Sequence, residues 1–144
     1  MKKLYLLLLL CAAVFTSCQS DPVEDMVGTY TYTESGIYTI AGQSKQMNNT
    51  GTFTVRRGSG NEIKFTGDFI ATGYLLTDGN LLINPDTDDF TSEGIVYHFD
   101  NVYSEGKYFV IGSMSWKQTT AITAKYNGQT LKGEMQLYVS ARKR

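Results

Sequence analysis

The sequence predicts an all-β protein, an antiparallel up-and-down β-barrel of about 8–10 strands, with a two-sheet β-sandwich as the competing architecture. Three observations lead there. Fourteen Gly and many Thr and Tyr stand against only 2 Pro. Short alternating runs are cut by turn residues at the roughly 8–12-residue spacing of an all-β domain. No segment carries a helical period. Consecutive strands joined by short hairpins become antiparallel neighbours, and closing such a meander removes the exposed edges of an open sheet. A sandwich needs longer crossovers, for which only residues 42–49 and 84–92 have the length.

Thr29-Tyr30-Thr31-Tyr32-Thr33 alternates perfectly, which sets Tyr30 and Tyr32 on one face of a first strand. Glu34-Ser35-Gly36 reads as a turn or bulge into Ile37–Ile40, and residues 42–49 as a polar loop. Thr52–Arg56 and Glu62–Thr66 form a hairpin around Arg57–Asn61. Thr77-Asp78-Gly79-Asn80 and Asn127-Gly128 are tight-turn signals, because their central residues tolerate positive φ. Residues 84–92 read as an acidic loop, Ile95–Phe99 as a strand, Ser104–Lys107 as a turn, and Tyr108–Trp116 as one long run. In the last strand Leu131, Gly133, Met135, Leu137 and Val139 share one face, as in a sheet with one wet side.

Ahead of this domain, Met1-Lys2-Lys3 precedes the apolar block Leu4–Phe15. A basic start, a dozen or so apolar residues and a small-residue cut site predict a secretory signal over residues 1–17, shorter than the roughly 20 apolar residues of a membrane span. Phe15-Thr16-Ser17-Cys18 resembles the lipobox of bacterial lipoproteins. That resemblance implies cleavage before Cys18, diacylation of its sulfur, and a membrane anchor rather than a span. The competing reading is an ordinary signal cut near Thr16 or Ser17, which leaves Cys18 as a free thiol in an oxidising compartment. Residues 18–25 read as the lipidated cysteine and a short polar tether, and residues 26–144 as one barrel domain. Acidic Asp21, Glu24 and Asp25 loosely resemble the surface-export signal of Bacteroides-type lipoproteins. Gln19 lacks the Asp that retains lipoproteins in the inner membrane of other Gram-negative bacteria. Together these place the protein at the outer membrane, in either leaflet.

Cys11 leaves with the signal and Cys18 is consumed by lipid, so the mature chain holds no disulfide. Loss of Lys2 and Lys3 moves the formal charge from −1 to about −3, which argues against a nucleic-acid partner. The basic tail Arg142-Lys143-Arg144 reads as a solvated terminus.

The opening Val27-Gly28-Thr29-Tyr30, the strand and turn rhythm and the closing Leu131-Lys132-Gly133 strand resemble the calycin-like, or lipocalin-like, small lipoproteins of Bacteroides-type bacteria, over residues 26–141. Lipocalins carry Gly-x-Trp in the first strand, the Trp packed under a base from near the last strand. Here Tyr30 takes the Trp position, and the resemblance points to Arg142 as the base. It implies a fold and a pocket, not a named ligand.

No constellation in the chain predicts catalysis, a cofactor or a metal. His98, the single histidine, is two residues before Asp100 and would share a strand face with it, but no serine lies in a nucleophile turn, so the pair reads as a solvated face. Asp86, Asp88, Asp89 and Glu93 offer oxygens suited to calcium without the required spacing or sharp-turn glycine. The aromatic residues are the positive signal. With Tyr30, Tyr32, Tyr97, Phe99, Met114 and Trp116 inward, a barrel has a cavity for a small apolar ligand or a solid core made of the same side chains. Two functions follow: a membrane-anchored envelope lipoprotein that binds a small apolar molecule, or a structural accessory lipoprotein that works through protein contacts.

Overall fold

The computed structural model describes residues 21–102, 104–109 and 111–144. The expected signal (1–17) and Cys18 lie outside the described residues. The described residues form one short helix, α1 (Pro22–Met26), and ten strands: β1 (Gly28–Ile40), β2 (Gln43–Arg57), β3 (Glu62–Gly67), β4 (Ala71–Leu75), β5 (Asn80–Ile83), β6 (Asp86–Ser92), β7 (Ile95–Asn101), β8 (Ser104–Phe109), β9 (Ser113–Tyr126) and β10 (Gln129–Lys143). All pairings are antiparallel, and eight strands close a ring in the order β1-β2-β3-β4-β5-β8-β9-β10, with β10 returning to β1. The predicted antiparallel barrel is therefore the fold. The β6–β7 hairpin departs from strict up-and-down order. It leaves the ring and pairs through β7 with the later half of β9.

The ring strands differ greatly in length. β1, β2, β9 and β10 have 13, 15, 14 and 15 residues, whereas β3, β4, β5 and β8 have 6, 5, 4 and 6. At about 3.4 Å per residue, the long strands outrun the short ones by roughly 25–35 Å. The barrel is therefore closed over one half only. Beyond it, β2, β1, β10, β9, β7 and β6 continue as an open curved sheet.

Aromatic packing fills the closed half. The Phe53 ring lies with its centroid 5.5 Å from Tyr30, 5.6 Å from Tyr32, 5.4 Å from Phe65, 6.0 Å from Phe69 and 6.2 Å from Trp116. Tyr30 stacks on Phe53, Phe65 meets it edge-on, and the other three rings are tilted to it. Phe69 comes from the β3–β4 loop, which is pinned where Asp68 accepts the Thr52 N–H at 2.8 Å and donates its own N–H to the Thr52 carbonyl at 3.0 Å. Gly106 is a strand residue, since a side chain there would collide with the Ser115 carbonyl and Trp116. Trp116 Nε1 is buried with no hydrogen-bond partner among the described residues.

At the other end of the closed half, α1 plugs the barrel with Val23 and Met26, both buried. Asp21 accepts the Val23 N–H at 3.0 Å and Pro22 occupies the first turn, a start signal that fixes the helix despite its length. The carbonyls at its C-terminal end would otherwise be orphaned. Instead Tyr30 donates to Met26 at 2.7 Å, while Tyr108 and Lys143 both donate to Asp25 at 2.9 Å. Arg57 bridges Asp21 at 2.6 Å and Glu24 at 2.7 Å on the outside. Much of the expected tether is therefore a docked plug: Asp-Pro at its start was a helix signal that periodicity over so few residues does not carry.

Several expected boundaries shift for one physical reason, cross-strand pairing. Residues 43–49 extend β2 because each pairs with β1, from Gln43 opposite Ile40 to Asn49 opposite Glu34. Residues 86–92 form a strand rather than an acidic loop, paired from Asp86 opposite Asn101 to Ser92 opposite Ile95. β1 runs through Gly36 without a turn, as Gly36 lets the Gln136 backbone approach closely. Ser104–Lys107 is strand, and the run Tyr108–Trp116 turns at Gly112, whose φ is +73°.

Phe53→Ala is expected to cost about 3–5 kcal/mol, the usual range for an emptied aromatic core site, measured by urea unfolding. Burial is the main cause that pushes the Tyr30, Tyr32 and Tyr108 phenols above the ordinary value of 10.0. A raised folded-state value leaves this stability intact below the unfolded-state value near 10.0 and removes it progressively as pH rises from there through the folded-state value. Alkaline titration followed by tyrosinate absorbance is expected to show a late group of tyrosines that ionise only as circular dichroism reports unfolding.

Candidate apolar cleft

Alternation carries the inward face of the barrel directly onto the concave face of the open half. On β1 the sequence of inward residues is Tyr30, Tyr32, Glu34, Gly36, Tyr38 and Ile40. The first two rows belong to the filled core. Next comes a polar belt: Asn49 donates to Glu34 at 2.7 Å, and Asn101 accepts from Gln118 at 3.0 Å and from Thr120 at 2.5 Å. Beyond the belt the face becomes apolar again. Tyr38 and Ile40 of β1, Met47 of β2, Phe90 and Ser92 of β6, Tyr97 and Phe99 of β7, Ile122 of β9 and Met135 of β10 surround a cleft of about 330 Å³.

The aromatic wall of this cleft comes from the β6–β7 hairpin. Tyr97 lies 6.2 Å from Phe90 and 6.4 Å from Phe99 between ring centroids, the second pair nearly parallel. Phe90 is 56% exposed. A phenylalanine left this open in an acidic strand, on the concave side, marks an unfilled apolar surface. A larger hollow of about 780 Å³ lies on the opposite face of β1, β2 and β10. Its lining mixes the polar Ser35, Thr39, Gln46, Asn48, Glu134 and Gln136 with Ile37 and Tyr138, so it offers an apolar guest a weaker driving force than the cleft does.

The residues expected to line one pocket are split between the two halves. Tyr30, Tyr32, Met114 and Trp116 are buried in the filled core. Tyr97 and Phe99 line the cleft. Tyr38, Ile40, Met47, Phe90, Ile122 and Met135 were missed, though Met47 and Phe90 carry a signal as lone apolar residues in polar runs. Arg142 pairs opposite Thr31 on the outer face, so it cannot cover Tyr30; Lys143, opposite Tyr30, takes the inward position instead. That outcome follows from alternation, which turns neighbouring residues to opposite faces.

His98 bonds Asp89 on β6 through Nδ1 at 2.6 Å rather than Asp100, and both partners are exposed. Asp88 pairs opposite Phe99 on the concave face while Asp89 faces outward with His98, so pairing splits the acidic run between two faces. Among the described residues no three His, Cys, Asp or Glu side chains converge as a metal site would require. No helix among them is long and apolar enough to cross a membrane.

Comparison with known proteins matches the chain to no family model and to no curated sequence.

Proposed function

We propose that the protein is an envelope lipoprotein, anchored at the outer membrane through acyl chains on Cys18, whose half-open barrel binds a small apolar ligand in the cleft. The observation that carries this reading is the 330 Å³ cleft itself, apolar on nearly every side and open at the end away from α1. Its size stands at the small end of the roughly 300–1,000 Å³ usual for ligand sites. A guest therefore has a compact apolar or aromatic body, held by Tyr97, Phe99 and Phe90, with any polar group turned to the belt at Glu34 or to solvent. The resemblance of the lipobox and first strand to calycin-like lipoproteins fits a barrel of this kind.

A second reading draws on a different observation. The core is filled, and the cleft is bordered by strand edges of β2 and β6 that pair with no other described strand along residues 43–49 and 86–92. An accessory lipoprotein docking a protein partner would use the same aromatic wall.

Titration with N-phenyl-1-naphthylamine separates the two. Saturable binding is expected, and Phe99→Asp is expected to weaken it about tenfold or more, as loss of one buried aromatic contact does. Ile37→Asp, on the outer face of β1, is expected to leave it unchanged. Absence of saturable binding by the native protein, or equal loss in both variants, contradicts ligand binding in the cleft.

A further inference from the structure

We propose that the β8–β9 turn is a membrane wedge, which sets Ile111 and Phe109 into the lipid bilayer that holds the Cys18 anchor. The proposal rests on the anchoring reading above and adds an orientation to it.

Three hairpin tips surround α1. Two have ordinary turn chemistry, Gly58-Ser59-Gly60-Asn61 between β2 and β3 and Thr77-Asp78-Gly79 between β4 and β5. The third, between β8 and β9, is apolar. Ile111 is 82% exposed, the highest value among the large apolar side chains described, and Phe109 is 47% exposed. Turn geometry does not require them. Gly112 supplies the positive φ, and its N–H donates to the Phe109 carbonyl at 2.9 Å. Exposed apolar residues at a tip therefore need another reason.

Position supplies it. The Lys143 N–H donates to the Gly112 carbonyl at 2.7 Å, and Lys143 Nζ donates to the Asp25 carbonyl of α1 at 2.9 Å. Turn, C-terminal strand and helix are thus bonded at one end of the barrel, and Asp21, where the described chain begins, caps that helix. Cys18 precedes Asp21 by three residues, a reach of at most about 11 Å. Acyl chains on Cys18 hold this end against lipid. Arg142, opposite Ser113 beside the turn and on the outer face of β10, offers a cation to anionic headgroups. A protein partner fits less well, because two side chains on a narrow tip fall far short of the roughly 1,200 Å² of a stable interface. The consequence is a fixed pose, with the wedge in lipid and the cleft facing away from it.

The test uses mature protein processed from the full chain and reconstituted in phosphatidylethanolamine–phosphatidylglycerol vesicles. An environment-sensitive nitrobenzoxadiazole label is placed at Ile111→Cys, at Phe109→Cys, or at Gln129→Cys on the distal tip. Labels at 111 and 109 are expected to shift to shorter wavelength and to be quenched by doxyl-labelled lipid, the label at 129 to do neither. Intact mass of the same samples reads the acyl chains independently. Acylated protein whose labels at 111 and 109 behave like that at 129 overturns the wedge alone. Protein without acyl chains overturns the anchoring reading, and the wedge with it.

Discussion

Unequal strand length is the constraint on which the rest of this molecule depends. A ring of eight strands can close only where all eight are present, and four of them end after 4 to 6 residues. The closed portion is short enough to be filled by one aromatic cluster and one helical plug. The surplus of β1, β2, β9 and β10 has the same inward alternation with no strands opposite to cover it. A packed core and an open apolar cleft are therefore two stretches of one continuous face.

The inserted hairpin is what keeps the open half from being a bare ribbon. β9 exchanges partners along its length, pairing with β8 through Ser113–Lys117 and with β7 through Thr120–Lys125. Asn101 sits at the changeover, bonded to Gln118 and Thr120, so the point where one neighbour gives way to the next is tied by side chains. Six strands with a hydrophobic face are enough to hold shape, whereas a two-stranded extension would be marginal. The hairpin also supplies most of the aromatic surface of the cleft, so support and binding surface have the same origin.

Much of the strand and turn pattern was legible in the sequence. The alternation of Tyr30 and Tyr32, the Asp78-Gly79 and Asn127-Gly128 turns and the inward face from Met135 to Val139 are local signals, and local signals survive into the fold. Strand length was not legible, because Gln43–Asn49 and Asp86–Ser92 are polar and become strands only through their partners. Glycines misled for a related reason. Gly36 and Gly106 look like punctuation but serve close backbone approach within strands. Of the site, Tyr97 and Phe99 were visible and most of their neighbours were not, since a cleft wall drawn from six strands has no signature in any one of them.

The four methionines beyond the first residue divide evenly between the two halves: Met26 and Met114 in the core, Met47 and Met135 at the cleft. Methyl NMR of protein labelled with [methyl-¹³C]methionine and titrated with N-phenyl-1-naphthylamine reads both regions at once. Shifts confined to Met47 and Met135, with Met26 and Met114 unmoved, are the predicted result. Movement of the core methyls while those at the cleft stay still would contradict a filled barrel that opens into an apolar cleft.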